Sequence, residues 1–431
     1  MEERKINVIG AGLAGSEAAL TLSKAGKKVR LFECKPIMRS PAHHSDDFGE
    51  LVCSNSLKSD SLSTASGLLK AELRYLDCEL LKIADEVKVP AGSALAVDRE
   101  KFSEAVTKRI LGDKNIEIVH EVVEDFDGSD FTIIATGPLT LDTLGKSIAE
   151  KLGDGLHFYD AAAPVVSGDS IDYDSTFTAD RYGKGDGDYV NCPMNKAEYE
   201  AFISALVNAE CAVLHDFEKS EIFEGCMPVE IMAKRGIDTL RFGPLRPVGF
   251  RDNEGARPYA VVQLRSENTA GESFNIVGFQ TNLKFKEQER VFRMIPALKN
   301  AEFLRYGVMH RNTFVNAPKT INRHFATLNY PEVYIAGQLS GVEGYVESIM
   351  SGLIAAKSVI ASIDGKPLPE FPRTSIIGAL CTYLETPNSS FQPMNANFGL
   401  LPPPENKIKD KTAKKLYYSE KSLKDLKNAD F

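Results

Sequence analysis

Cysteine is sparse and unpaired: Cys34, Cys53, Cys78, Cys192, Cys211, Cys226 and Cys381 make seven in 431 residues, with no CxxC spacing among them. An odd, scattered set of this kind excludes a disulfide framework and a thiolate zinc site, and it fits a reducing, cytoplasmic setting. Long apolar runs are missing too. Nothing approaches the ~18 residues that a membrane span needs, so no membrane partner is expected. The opening "MEERKINVIGAG" holds neither an apolar targeting region nor a small-residue cleavage site, and the mature chain is expected to start near Met1. Net basic charge is also absent: 51 Lys+Arg against 60 Asp+Glu leave −9, which speaks against uniform affinity for nucleic acid. The balance is uneven, however. Between Ile231 and Phe325 there are 16 basic and 8 acidic residues, +8 locally, which leaves −17 for the rest. Such a segment meets an anionic partner or is a solvated basic face.

With 43% hydrophobic and 26% charged residues, the chain has ordinary globular usage and length for roughly two domains. Residues 5–33, "KINVIGAGLAGSEAALTLSKAGKKVRLFE", read as strand, glycine turn, alanine-rich helix stopped at Gly26, and second strand. One helix is expected near 62–84, with Leu68, Leu69, Leu73, Leu76, Leu80 and Ile83 on a single face and Cys78 packed there. "DREKFSEAVTKRIL" is a helix with an Asp cap, and "NIEIVHEVV" and "FTIIAT" are strands. "NKAEYEAFISALVNAE" opens with Asn195 as cap and Glu198 three positions on, a capping box.

Gly10, Ala11, Gly12, Leu13, Ala14 and Gly15 form a GxGxxG turn between strand and helix. In such a turn the first glycine makes the bend, the second lets amides approach a pyrophosphate, and the third lets helix and strand pack. Glu33 ends the second strand 18 residues after Gly15, where a carboxylate can accept a ribose hydroxyl. Two later segments are similar to motifs of FAD-dependent proteins: "IIATGP", with Ala135, Thr136 and Gly137, and "VYIAGQLSGVEGY", with Gly337, Gln338, Gly344 and Tyr345. Gln338 stands where many flavoproteins have Asp, and Tyr345 is a candidate to stack on a flavin or folate ring. No second GxGxxG has flanking elements, so NAD(P)H as reductant would visit transiently.

The expected fold class is therefore α/β: a discontinuous, Rossmann-like FAD-binding domain carrying an inserted smaller α/β domain. The boundaries read 1–182 for its first part, 183–300 for a basic insertion, 301–404 for its second part and 405–431 for a lysine-rich, solvated tail.

Two cysteines have polar surroundings. Cys53 lies in "ELVCSNSLKSD" near Lys58, and Cys226 in "EIFEGCMPVEIMAKRG" precedes Lys234 and Arg235. A nearby cation favours the thiolate, the nucleophilic form. His43-His44 is a poor metal pair because adjacent side chains diverge, and no metal site is expected, although the pair could touch folate or phosphate.

The segments "GAGLAGSEAA", "SPAHHSDDFGELVCSNSLKSD", "VDREKF", "NCPMNKAEYEAF", "EGCMPVEIMAKRGIDTLRFGPLRPVG" and "AGQLSGVEGYVESIMSGLIAA" resemble the folate- and FAD-dependent tRNA (uracil-5-)-methyltransferases, the TrmFO family, along essentially the whole chain. Its glycine motifs are also similar to the longer GidA/MnmG flavoproteins. The resemblance implies methylation of carbon 5 of a uridine in tRNA, normally in the T-loop, to 5-methyluridine. It implies 5,10-methylenetetrahydrofolate as one-carbon donor and FAD as redox cofactor. The same chemistry on ribosomal RNA, or folate oxidation without RNA, are the alternatives. By resemblance Cys226 adds to uracil carbon 6, and Cys53 works at the flavin side as base or as carbon-handling thiol, with Ser54 and Asn55 as cofactor contacts. Arg241, Arg246, Arg251 and Arg257 would meet RNA phosphates if the insertion faces RNA. No obligate protein partner is evident.

Overall fold

Five short apolar segments form one parallel sheet in the order Val333–Ile335, Thr132–Ile134, Ile6–Ile9, Val29–Glu33, Ile116–His120. The computed structural model describes residues 5–40, 42–153, 156–179, 188–212, 227–252, 255–268, 270–388, 391–406 and 408–429. A parallel sheet needs crossover helices, and these cover its faces. Helix Leu13–Lys24 packs along helix Tyr345–Asp364. Their backbones approach so closely that a Cβ at Gly352 would lie 2.1 Å from the carbonyl oxygen of Ala14. Helix Tyr345–Asp364 has the length and apolarity of a membrane span, but 72% of its most apolar window is buried inside this protein, where it serves as a core helix.

The second sheet has six strands in the order Phe177–Thr178, Tyr189–Met194, Ala260–Ser266, Ser273–Ile276, Val165–Ser167, Phe303–Arg305, all antiparallel. Helices Lys196–Val207 and Phe285–Phe292 close its own core around Tyr199, Phe202, Phe279 and Phe292. The sheet starts at residue 165 and ends at 305, wider than the 183–300 expected from the glycine-rich crossing. The outer strands come from segments that sequence composition assigns to the neighbouring unit. A two-stranded ribbon, Leu156–Ala161 with Met309–Phe314, leads in and out of it.

Local capping follows the sequence. Asp98 accepts the Lys101 amide at 3.2 Å, and Asn195 and Glu198 form the reciprocal box. The single helix expected over 62–84 is instead two, Ala65–Tyr75 and Glu79–Glu86, because Asp77 takes φ +65° between them. Both keep their apolar residues in one core, so the periodicity survives the break. Buried carboxylates close the exposed helix ends. Glu17 accepts the Leu80 amide at 2.8 Å and Glu79 at 3.1 Å; Glu72 accepts Ile376 and Ile377 at 2.8 and 2.9 Å. The lysine-rich tail is not a solvated end. It forms helix Lys411–Lys427, buries Tyr418, Ser419, Ser422 and Leu426, and bonds Ser422 to Glu72.

Candidate active site

Strand Ile6–Ile9 runs into Gly10, and the helix after it starts at Leu13. The turn is tight: a Cβ at Gly15 would sit 1.8 Å from the Gly10 carbonyl oxygen, so only glycine fits. Around Gly12 and Gly137, by contrast, a Cβ would meet nothing within 4 Å, because both border an open cleft. That cleft encloses about 1220 Å³ out to its mouth and is lined by Gly10 to Ala14, Glu33, Ala135 to Gly137, Gly337, Gln338 and Tyr345. Gly12 caps the helix without a side chain, leaving first-turn amides for an anion. Glu33 is buried, with one oxygen on the Ala11 amide at 2.9 Å and the other on the Lys35 amide at 3.0 Å. The oxygen on Lys35 also accepts the Cys34 thiol at 3.4 Å, whereas the oxygen on Ala11 keeps a lone pair for a ribose hydroxyl. Glycine cradle, free amides, acid and apolar walls fit a dinucleotide such as FAD. Gln338 lines the cleft and donates to Glu343.

The cleft also takes in residues that motif reasoning missed: Cys34, Lys35, Ser40, Glu50 and Ser348. His43 lines it with its Nδ1 2.6 Å from the Ser40 hydroxyl, and burial lowers its pKa. Burial and the adjacent Glu33 push the Cys34 thiol up to about 11, which removes it as a nucleophile at neutral pH. Burial also raises the thiol pKa of Cys78, Cys192, Cys211 and Cys381.

Cys53 occupies a half-buried loop beside this cleft. Tyr345 lines the cleft, and its hydroxyl oxygen accepts the backbone amides of Cys53 at 2.7 Å and Ser54 at 3.1 Å. One side chain therefore joins the cleft to the cysteine loop. The remaining anchors are guanidinium groups from distant elements. Arg99 donates to the Leu51 carbonyl at 2.9 Å, and Arg305 to that of Val52 at 3.0 Å. Arg265 donates to the Ser54 hydroxyl at 2.6 Å and to Asn55 Oδ1 at 2.8 Å. Arg99 is also paired with Glu267 at 2.6 Å.

This arrangement corrects two expectations. Asn55 is fully buried, and its amide nitrogen is committed to the carbonyls of Val97 and Ser266, at 3.0 and 2.9 Å, so it is a loop anchor rather than a cofactor contact. Ser54 spends its hydroxyl in the same way. Lys58, expected to be the cation beside Cys53, turns to Glu347 at 3.5 Å. Gly15 and Gly344 lie behind the cleft lining, the first under the turn and the second at the start of helix Tyr345–Asp364. An arginine inside the apolar strand "AVVQLRS" was the signal that Arg265 has a special task.

Cys226 lies outside the described residues. The helix that follows it, Val229–Lys234, is seated by Glu230, which accepts the Asn282 amide and the Thr281 hydroxyl, both at 2.8 Å. Beyond it, Arg246, Arg251 and Arg257 are exposed, whereas Arg241 lies 3.7 Å over the Tyr259 ring and pairs with Asp238.

The family model for glucose inhibited division protein A matches residues 5–367. A protein of Acetivibrio thermocellus named "Methylenetetrahydrofolate--tRNA-(uracil-5-)-methyltransferase TrmFO" is 55% identical over 425 residues, 98% of each chain. Proteins of the same name from Desulfitobacterium hafniense and Streptococcus agalactiae are 52% and 50% identical; they cover 97% and 99% of this chain, and 96% and 99% of their own is covered. Among solved structures, Aquifex aeolicus GidA in its form II crystal superposes with TM-score 0.72 at 16% identity, covering 99% of this chain and 73% of that one, which shows a shared fold. The chain belongs to the TrmFO family, within the wider glucose inhibited division protein A family.

Proposed function

We propose that this chain methylates carbon 5 of a uridine in RNA, the T-loop uridine of tRNA, using 5,10-methylenetetrahydrofolate, FAD and NAD(P)H in the cytoplasm. The observation that carries the reading is the join at Tyr345, which lines the dinucleotide cleft and whose hydroxyl holds the Cys53 backbone. It ties the loop that carries Cys53 to the wall of the cleft, in a chain whose full-length relatives bear the methyltransferase name, which supports this reading.

Glu33 and the amides after Gly12 would hold the ribose and pyrophosphate of FAD. When bound, FAD supplies the reducing equivalents that turn a methylene unit into a methyl group. The protein's own work is at the base. Uracil carbon 5 becomes nucleophilic once a thiolate adds at carbon 6, and Cys226 is assigned that addition. After carbon 5 has gained its substituent, its proton must leave as the carbon–sulfur bond breaks. Cys53 is assigned the removal of that proton. Arg246, Arg251 and Arg257, in the basic insertion, are assigned to phosphates, where guanidinium groups bind well.

RNA from cells lacking the gene tests this reading by mass mapping. Loss of one 5-methyluridine from the tRNA T-loop is expected. An unchanged complement in tRNA refutes the proposal, and loss from ribosomal RNA alone transfers the chemistry to that target.

A further inference from the structure

The loop Leu51–Asn55 sits in an unusual field. Three guanidinium groups converge on it, from Arg99 on one helix and from Arg265 and Arg305 on two strands of the second sheet. Arg99 has a carboxylate partner, Glu267. The other two have only neutral hydrogen-bond partners: Arg265 meets Ser54, Asn55 and the Tyr189 side chain, and Arg305 meets the Val52 carbonyl. Among the described residues neither forms an ion pair. Arg265 is only 6% exposed, so water screens its charge poorly. Three cations against one anion leave an excess of positive charge around the loop that carries Cys53.

We infer that Arg305 is a positioning residue that holds Cys53 as its thiolate, so that the second sheet supplies the charge that ionises a cysteine in the loop leading into strand Ser56–Ser59. The other groups facing the loop do not cancel this field. Tyr345 is buried, and burial holds its phenol protonated and neutral. Glu267 pairs with Arg99 and also acts on Arg265 and Arg305, a single carboxylate for three guanidinium groups, and Lys58 is directed to Glu347. Cys53 and Arg305 are close enough to act on each other electrostatically, and burial already disfavours the isolated guanidinium, which a neighbouring thiolate relieves. Ionisation releases the thiol proton to solvent, and the resulting thiolate is the form that can accept a proton from uracil carbon 5.

The inference rests on Cys53 being a functional thiol, but its test does not require methyl transfer. Full-length protein is alkylated with iodoacetamide across a pH series, and Cys53 modification is read by peptide mass spectrometry. Arg305→Met should displace the rate profile upward by about one pH unit, roughly tenfold slower at pH 7, with the same plateau at high pH. Arg305→Lys should follow the parent. An unmoved profile, or a rate lowered equally at every pH, overturns the inference. If Arg305→Met does not fold, the melting temperatures of Cys53→Asp and Cys53→Asn at pH 7 decide. A site built for an anion makes the aspartate variant the more stable, and the opposite order overturns the inference. A shifted alkylation profile together with an unchanged RNA complement would leave this inference standing and remove the proposed function.

Discussion

The dinucleotide cradle and the Cys53 loop border the same cleft but are held by different means. The cradle is backbone: a strand, a glycine turn and a helix within residues 6–24, whose geometry follows from the absence of side chains at Gly10, Gly12 and Gly15. The loop is held by side chains from far away, with Arg265, Arg305 and Tyr345 at separations of 210, 253 and 292 residues. A cradle of that kind is built from local backbone alone. A loop of the second kind couples the cysteine to the placement of the other sheet and to the cleft wall at once.

The contrast breaks most severely at Gly15. Replacing it with alanine drives a methyl group into the Gly10 carbonyl, and destabilisation of more than about 3 kcal/mol with loss of bound flavin is expected, read by melting and visible absorbance. A pH effect is expected on the loop side. Lys70 is buried, with its amine on the Leu57 and Ser66 carbonyls, and burial lowers its pKa from 10.5 to about 8. A depressed lysine leaves the unfolded chain binding more protons between those values, so stability rises with pH from about 8 to 10.5. The gain is lost again as pH falls through 8. Compared with Lys70→Met, the parent should gain about 3 kcal/mol over that range in denaturant titrations, at roughly 1.4 kcal/mol per pH unit.

Smaller still is Tyr345→Phe. It keeps the ring in the cleft but removes the acceptor of two amides, so about 2 kcal/mol of stability should be lost, and methyl transfer with it, while flavin absorbance persists. Retained activity would mean that the join between cradle and loop is dispensable. The mildest change is Arg246→Ala, on the exposed basic surface. Its tRNA affinity should fall a few-fold, and the slope against log salt should shrink by about 1, as filter binding over a salt series can measure.

The same contrast explains what could be read from sequence. Caps at Asp98 and Asn195, the turn at Gly10 to Gly15 and Glu33 at the strand end are local, so spacing reveals them. Asp77 broke a helix whose apolar periodicity runs straight through it, because a φ of +65° at one residue leaves the face unchanged. Ser54 and Asn55 were expected as cofactor contacts by resemblance; Arg265 reaches both across the fold, a partner that sequence proximity does not reveal. Lys58 was the nearest cation in sequence and not in space. The tail read as solvated because lysines dominate it, while Tyr418, Ser422 and Leu426 make a narrow buried stripe.

One reaction tests the account most directly. Purified protein carrying flavin is incubated with 5,10-methylenetetrahydrofolate, NADPH and unmodified tRNA, alongside Cys53→Ala and Cys226→Ala. The account predicts 5-methyluridine in the T-loop from the parent protein and none from either variant, with flavin retained in all three and the covalent RNA adduct lost only in Cys226→Ala. Undiminished 5-methyluridine from the Cys53→Ala protein would contradict it.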